Sequence, residues 1–136
     1  MYEKSFQLQI VTPDRVVFQG EATSLSAPGV QGGFQVLYNH APFLSALEIG
    51  RIKVKDVSGS DTAYAAAGGF VEVRNNAVTV LAESAERVDE IDVKRAEAAR
   101  DRAVKRLRAN EAGIDVERAR LALLRALNRL RVAGQS

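Results

Sequence analysis

A six-residue motif occurs twice in the C-terminal part of the chain and constrains its fold more than any other feature. Residues 91–96 read IDVKRA and residues 114–119 read IDVERA, and each copy opens a long run without Gly, Pro or aromatic residues. Such runs are typical of helices. The second copy begins 23 residues after the first and directly follows Gly113. The repeat therefore predicts two similar helices that fold back on each other as an antiparallel hairpin.

Capping explains the aspartate of this motif but not its arginine. Asp92 and Asp115 are predicted N-caps, because a carboxylate can accept hydrogen bonds from the free N–H groups of the first helical turn. Arg95 and Arg118 then fall at the third helical position, where the positive end of the helix dipole favours Glu or Gln over a cation. These arginines are therefore either exposed side chains tolerated at a small cost or residues with a function.

Composition divides the chain in two, with the change between Glu83 and Asp92. Residues 1–85 hold six Lys/Arg, eight Asp/Glu, all eight aromatic residues and eight of the ten glycines. Residues 86–136 hold thirteen Lys/Arg, eleven of them Arg, nine Asp/Glu and no aromatic residue. The first part can bury a core of its own, whereas two helices share only one seam and need a further surface. We predict domains at residues 1–86 and 87–136.

The first domain has the pattern of a β structure. Phe6, Leu8 and Ile10 alternate with polar residues, which is the period of a half-buried strand. Further strands are predicted at residues 16–18, 22–27, 34–37, 43–47, 51–57, 62–67, 70–73 and 78–82. Turns are predicted at Pro28-Gly29, Gly32-Gly33, 58–60, Gly68-Gly69 and Asn75-Asn76. The last is a tight hairpin, because Asn tolerates positive φ. The predicted fold class is α+β, an N-terminal antiparallel β-sandwich or flattened barrel followed by a two-helix antiparallel hairpin.

Several classes of function are disfavoured by composition. The chain has no cysteine, no signal-peptide pattern and no apolar run of the roughly 20 residues that a transmembrane helix needs. We therefore expect a cytosolic protein without direct membrane insertion. His40 is the only histidine, and we expect it to fix a loop or make a contact rather than bind a metal. No phosphate loop or catalytic carboxylate pair is evident, so we expect a non-catalytic protein.

The arginines of the predicted hairpin form a basic cluster. Arg95 and Arg102 share one helix face, and Arg125 and Arg129 are one turn apart on the other helix. In an antiparallel pair these guanidinium groups approach each other and repel unless anions intervene. The nearby carboxylates that could neutralise them are Asp92, Glu97 and Asp101. A polyphosphate is a second possibility, since arginine binds phosphate oxygens bidentately. Nucleic acid ranks third, because this region lacks aromatics for stacking. The residue pattern leaves the three open.

A set of motifs in fixed order carries a resemblance to a known family. The segments are QIVTPD at 9–14, LYNHAP at 37–42, GGFVEV at 68–73, AER at 85–87 and the repeated IDxxRA motif. Together they resemble the epsilon subunit of the bacterial and chloroplast F-type ATP synthase, from about residue 5 to residue 133. On these residues the chain is identified as a member of that family.

The resemblance implies a non-catalytic rotor subunit, peripheral on the cytoplasmic face of the cell membrane as part of the F1 complex. Residues 1–86 would bind the gamma subunit and the c-ring of Fo. The loop at residues 32–42 would face the c-ring, with Tyr38 and His40 as candidate contacts. Gln35 and Tyr38 stand where family members commonly have Gly and Pro.

The resemblance also implies a regulatory role for the hairpin. Extended into the alpha/beta catalytic head, it would inhibit ATP hydrolysis, and bound ATP, which is not hydrolysed, would stabilise its folded state. The residues matching the ATP-binding positions of relatives are Glu86, Ile91, Asp92, Arg95, Ala96, Arg102, Arg125 and Arg129. The alternatives are a purely mechanical rotor and inhibitor subunit without nucleotide binding, and a free-standing nucleotide sensor without affinity for gamma.

Overall fold

The computed structural model describes residues 4–109, 113 and 115–134, and consists of seven strands followed by two helices. The strands are β1 Phe6–Val11, β2 Val16–Gly29, β3 Gly32–Val36, β4 Phe43–Ala46, β5 Gly50–Asp56, β6 Asp61–Arg74 and β7 Ala77–Arg87. A short 3₁₀ helix at Val88–Glu90 precedes α1 Val93–Ala109 and α2 Val116–Val132. The chain divides into two compact units, Met1–Arg87 and Val88–Ser136. Expectations for residues 110–112 and 114 lie outside the described residues.

The strands of the first unit form one sheet that closes on itself. Their order is β1-β7-β6-β5-β2-β3, and β1 also pairs with β2, so five strands form a ring. β4 joins at β6. All pairs are antiparallel except β1 with β7, which is parallel. Closure removes the exposed edges that an open sheet would leave. The predicted sandwich or flattened barrel is confirmed, with one parallel pair that the sequence pattern did not indicate.

The interior of this barrel is built from alternate residues of each strand. In β1 the predicted alternation is confirmed, since Phe6, Leu8 and Ile10 are at most 2% exposed. The parallel register places Leu8 beside Val78 and Ile10 beside Val80. The other large, fully buried side chains are Leu25, Val36, Ile52, Val54, Val71 and Val73. β-branched residues dominate this set because their side chains pack well on a pleated surface.

The turn predicted at Gly68-Gly69 is wrong, because β6 runs through both glycines. A Cβ built on Gly69 would lie 1.9 Å from the carbonyl oxygen of Leu81, and its φ is +112°. Glycine at this position permits a close approach of two backbones within the sheet, not a reversal. The predictions of separate strands at 16–18 and 22–27 and of a turn at Gly32-Gly33 are also wrong, since these residues lie inside β2 and β3.

The tight hairpin predicted between β6 and β7 is confirmed. Arg74 pairs with Ala77, so Asn75 and Asn76 are the only residues of the connection. Their φ angles are 51° and 57°, which is the left-handed geometry of a type I′ turn.

Both copies of the repeated motif begin a helix as predicted. Asp92 Oδ1 accepts from the backbone N–H of Arg95 at 3.0 Å, and Asp115 Oδ1 accepts from that of Arg118 at 3.0 Å. Each helix has 17 residues and is about 25 Å long. Six residues separate the helices, and Gly113 among them turns at φ +90°. The two helices pack against each other, and a connection of this length joins antiparallel neighbours.

The seam of the hairpin has helical spacing and consists mainly of alanines. The buried seam residues are Ala96 and Ala103 of α1 and Ala119, Ala126 and Leu130 of α2. Leu127, the residue after Ala126, is 39% exposed and lies outside the seam. Asn128 and Val132 are buried on a different face of α2, which the apolar periodicity alone did not predict.

Candidate functional site

The four arginines of the predicted basic cluster share one geometric relation to the seam. Each directly precedes a buried seam residue, in the pairs Arg95–Ala96, Arg102–Ala103, Arg125–Ala126 and Arg129–Leu130. Neighbouring residues of an α-helix are rotated by about 100°, so all four have the same angular offset from the seam. Viewed along the hairpin, the residue numbers of the two antiparallel helices increase with opposite senses of rotation. The residue that precedes a seam residue therefore lies on the same side of the hairpin in both helices. These residues, the arginine row, therefore lie along one side of the hairpin.

Three members of the arginine row, Arg95, Arg102 and Arg125, are not paired with the neighbouring carboxylates in the described part of the chain. Arg95 and Arg102 are exposed, and Arg125 and Arg129 are half-buried. Within the part of the chain that the structure describes, no ion pair joins Arg95, Arg102 or Arg125 to a carboxylate. A cluster of this kind attracts an anion.

Two of the carboxylates considered as neutralising partners have other contacts. Asp92 Oδ1 accepts from a backbone N–H as the cap of α1. Asp101 Oδ1 accepts from Arg100 Nε at 3.1 Å. Arg100 lies outside the arginine row, so this contact of Asp101 is not made with the row.

The other predicted ATP-binding residues differ in how open they are. Ile91 is 9% exposed and Ala96 is 3% exposed, so both offer little surface to an adenine ring in this conformation. Asp92 is exposed. Glu86 is half-buried, belongs to the first unit and pairs with Ala65 in the register of β6 and β7. The remaining seven residues belong to the second unit.

The two residues predicted to contact the c-ring also differ in solvent exposure. Tyr38 is 46% exposed. His40 is half-buried, with its ring centroid 5.6 Å from that of Phe43 in an edge-on arrangement. His40 Nδ1 lies 2.7 Å from the carbonyl oxygen of Ala41, and since a carbonyl only accepts, Nδ1 carries the proton. His40 thus fixes the loop, and Tyr38 is the more exposed of the two.

A residue that the sequence analysis did not single out holds this loop. Asn76 Oδ1 accepts from the backbone N–H of Asn39 at 2.7 Å. Asn76 Nδ2 donates to the carbonyl oxygen of Ser5 at 2.9 Å. In the sequence, the only signal at this position was the Asn75-Asn76 turn.

An exposed apolar surface on the barrel was also missed. Val11, Leu81, Phe70 and Ala46 are consecutive cross-strand neighbours on β1, β7, β6 and β4. Leu81 and Phe70 are 55% and 54% exposed, and Leu44, two residues before Ala46, is 69% exposed. These five residues are called the apolar row. They occupy outward positions in strands whose alternate residues form the core, which is the signal that could have revealed them.

The described residues contain neither a metal-binding cluster nor a helix suited to span a membrane. In residues 4–109, 113 and 115–134, no group of three or more His, Cys, Asp or Glu is arranged to hold a metal ion. Over the same ranges, neither helix combines the length and apolarity that crossing a bilayer requires.

The fold and its surfaces define a protein that works by binding: a closed barrel with an apolar row, joined to a helical hairpin with an arginine row. A family model described as the beta-sandwich domain of the ATP synthase Delta/Epsilon chain matches residues 5–88. One described as the long alpha-helix domain of the same chain matches residues 89–134. The chain belongs to the ATP synthase epsilon-chain family and is a non-catalytic subunit of the central stalk.

Relatives from two bacteria illustrate the match. The ATP synthase epsilon chain of Pelotomaculum thermopropionicum is 52% identical over 107 residues, 79% of this chain and 79% of the relative. That of Nitratidesulfovibrio vulgaris strain DP4 is 51% identical over 105 residues, 77% of this chain and 78% of the relative. Family membership makes the chain part of F1, a peripheral membrane-associated complex.

Solved structures support the fold. A chain of the Euglena gracilis mitochondrial ATP synthase OSCP/F1/c-ring assembly aligns with a TM-score of 0.82 at 20% identity, over 98% of this chain and 83% of that one. A chain of the Tetrahymena thermophila mitochondrial ATP synthase central stalk and c-ring aligns with a TM-score of 0.60 at 14% identity, over 98% and 99%.

Proposed function

We propose that this chain couples the gamma subunit to the c-ring as part of the rotor and carries a hairpin that brakes ATP hydrolysis unless ATP holds it folded. The proposal combines the family of the chain with its two exposed surfaces. In the complete enzyme the barrel faces gamma and the c-ring on the cytoplasmic side of the membrane. The hairpin acts on the alpha/beta catalytic head when it extends.

The apolar row is the surface that we assign to gamma. Phe70 and Leu81 lie directly opposite each other, and each leaves more than half of its side chain in water. Removal of such side chains from water favours association and offsets part of the entropy that the two partners lose on binding. A rotor subunit must stay attached while torque is transmitted, and a contiguous apolar contact across four strands suits that requirement.

The exposed loop before β4 is the part that we assign to the c-ring. Leu37 and Tyr38 are 51% and 46% exposed and are adjacent in the chain, so they present one apolar contact. His40 keeps the loop in shape through its contacts with Phe43 and Ala41.

The observation that carries ATP binding is the arginine row. Four guanidinium groups lie on one side of the hairpin, and in the described part of the chain three of them lack a carboxylate partner. A triphosphate supplies the negative charge that such a row requires, through bidentate hydrogen bonds to its oxygens. Because Arg95 and Arg102 come from α1 and Arg125 and Arg129 from α2, a ligand that binds both pairs ties the helices together.

The regulatory effect follows from linkage between ligand binding and conformation. A ligand that binds only the folded hairpin stabilises it by RT ln(1 + [L]/Kd), about 2.7 kcal/mol at 100-fold excess over Kd. This increment can decide between two conformations of similar free energy. When ATP is abundant the hairpin stays folded. When ATP is scarce the hairpin extends, and its basic α2 pairs with acidic residues of the catalytic head.

The test is a calorimetric titration of ATP into the full chain and two matched variants. Arg125→Ala removes a member of the arginine row, whereas Arg118→Ala removes an arginine that also precedes a buried seam residue, Ala119. Arg118 lies seven residues from Arg125, about 10 Å along the helix. We expect saturable binding in the parent and in Arg118→Ala, and its loss in Arg125→Ala. Equal affinity in all three would refute the ATP site.

A second candidate is a mechanical rotor and inhibitor subunit that binds no nucleotide. The burial of Ile91 and Ala96 favours it, because these residues leave little surface to cover an adenine ring. In that case the arginine row serves acidic protein partners only. Absence of binding at millimolar ATP, together with retained binding to gamma in a pull-down, would establish this alternative; absence of gamma binding would indicate a free-standing sensor.

A further inference from the structure

We propose that Asn76 is a positioning residue that holds the loop of residues 37–40, here the contact loop, in the shape required by the c-ring. This inference rests on the proposed role of the loop at the c-ring. Asn76 lies in the β6–β7 turn and is not itself proposed to touch the c-ring.

The side chain of Asn76 joins two segments that are distant in sequence. Its Oδ1 accepts from the backbone N–H of Asn39 at 2.7 Å, and its Nδ2 donates to the carbonyl oxygen of Ser5 at 2.9 Å. The backbone carbonyl of Asn76 also accepts from the N–H of Gln7 at 3.2 Å. The contact loop, the start of β1 and the β6–β7 turn therefore meet at one residue.

The side-chain amide of Asn76 suits both of its partners. The N–H of Asn39 can only donate and the carbonyl of Ser5 can only accept, so the partner must offer an acceptor and a donor at once. Aspartate lacks the donor and would place a carboxylate against a carbonyl oxygen. The φ of Asn76 is 57°, and Asn adopts this left-handed conformation more readily than other residues with a side chain.

His40 and its contacts restrain one end of the contact loop, whereas Leu37 and Tyr38 at the other end are more exposed. Asn39 itself has a φ of 59°, a conformation that costs free energy unless the surroundings hold it. Within the loop, His40 N donates to Leu37 O at 3.3 Å. Asn39 lies between Leu37 and His40 in the chain, and its hydrogen bond to Asn76 Oδ1, at 2.7 Å, is the shorter of the two. It therefore holds the backbone on which the exposed side chains of Leu37 and Tyr38 are mounted.

A second contact supports the same arrangement from the segment that precedes β1. Lys4 Nζ lies 5.5 Å from the ring centroid of Tyr38, within the range of a cation–π interaction. Lys4 precedes Ser5, whose carbonyl Asn76 holds. Asn76 thus positions the loop backbone and also the segment before β1, whose Lys4 lies against the ring of Tyr38.

The experiment compares Asn76→Gly with Asn75→Gly in the full chain. Glycine accepts the left-handed φ at either position, 57° and 51°, and it changes the unfolded chain alike in both. Only Asn76→Gly removes the two side-chain hydrogen bonds. The first readout is amide hydrogen exchange of Asn39. The second is binding to a purified subcomplex of gamma and the c-ring, with Tyr38→Ala as reference.

Loss of one hydrogen bond should accelerate exchange of the Asn39 amide by about threefold to tenfold in Asn76→Gly and leave it unchanged in Asn75→Gly. We expect c-ring binding to weaken in Asn76→Gly in parallel with Tyr38→Ala. Unchanged exchange in Asn76→Gly overturns the inference. Faster exchange in Asn76→Gly together with normal c-ring binding also overturns the inference. In that case, weaker c-ring binding of Tyr38→Ala shows that the proposed function survives. Normal binding in Tyr38→Ala as well removes the contact loop from the proposed function.

Discussion

Asp92 accepts a hydrogen bond from the backbone N–H of Arg95 at 3.0 Å. The cap of α1 is therefore attached to the first member of the arginine row. Asp115 makes the matching bond to Arg118 at 3.0 Å, but Arg118 is outside the row. The repeated motif thus provides two equivalent caps, of which only the first adjoins the proposed ATP site.

Replacing the two caps separates helix stability from ligand binding. Asp92→Ala and Asp115→Ala should each destabilise their helix by about 1 kcal/mol, because each leaves a backbone N–H of the first turn unsatisfied. Amide exchange at Ala96 and Ala119 measures this loss. Only Asp92→Ala should also weaken ATP binding in calorimetry. An equal loss of affinity in Asp115→Ala would mean that the cap acts through helix stability alone.

Charging the apolar row should release the gamma subunit. Phe70→Arg places a cation at the centre of the row, opposite Leu81, where docking would bury it without a partner. Val57→Arg is the matched control, because Val57 is similarly exposed, 50% against 54% for Phe70, and lies outside the row. We expect gamma binding, measured by surface plasmon resonance, to fall at least about tenfold in Phe70→Arg and to persist in Val57→Arg, because charging a desolvated contact typically costs more than about 1.4 kcal/mol. Similar affinities of both variants would place the gamma contact elsewhere.

A single methyl group on Gly69 should destabilise the barrel strongly. Its Cβ would lie 1.9 Å from the carbonyl oxygen of Leu81 at a φ of +112°, so β6 and β7 would have to separate. We expect Gly69→Ala to lower the free energy of unfolding by about 2 kcal/mol or more. In Gly33→Ala the nearest atom is 3.7 Å away, and the change should stay within about 0.5 kcal/mol. Urea denaturation measures both, and coincident midpoints would contradict the assigned close approach.

The turn after β5 makes a pH-dependent contribution to the stability of the fold, through the carboxyl group of Asp56. The hydroxyl of Ser58 donates to Asp56 at 2.5 Å, and together with backbone donors it lowers the pKa of Asp56 below its ordinary value of 3.8. Because the folded state binds this proton less tightly, the stabilising contribution is complete above the unfolded pKa. It is lost as the pH falls through the lower, folded value.

Replacement of the hydroxyl tests that assignment. In Ser58→Ala, an NMR titration of the Asp56 carboxyl should show its pKa rising toward 3.8, since the largest cause of the shift has been removed. The remaining backbone donors at Ser58 and Ser60 keep part of the shift. An unchanged pKa would mean that the backbone N–H groups alone are responsible.

Predictions based on neighbouring residues were confirmed where the interaction itself is local. The caps at Asp92 and Asp115 bind an N–H three residues ahead. The Asn75-Asn76 turn depends only on the left-handed preference of two adjacent residues. Predictions failed where a distant strand intervened. At Gly69 the sequence pattern predicts a turn, but the carbonyl of Leu81 on β7 approaches there and the strand continues.

The candidate sites also divide into those predictable from local sequence and those that depend on distant segments. Helical spacing and the seam were enough to predict that Arg95 and Arg102 share a face, because a helix repeats itself every few residues. The apolar row depends on the register of four strands, and the contact between Asn76 and Asn39 joins residues 37 positions apart. No local preference encodes such pairings. The sequence alone thus determined the helices, their caps, the tight turn and the family of the chain. The tertiary structure decided which surfaces the barrel exposes and how its contact loop is held, because strand register arises only when distant segments meet.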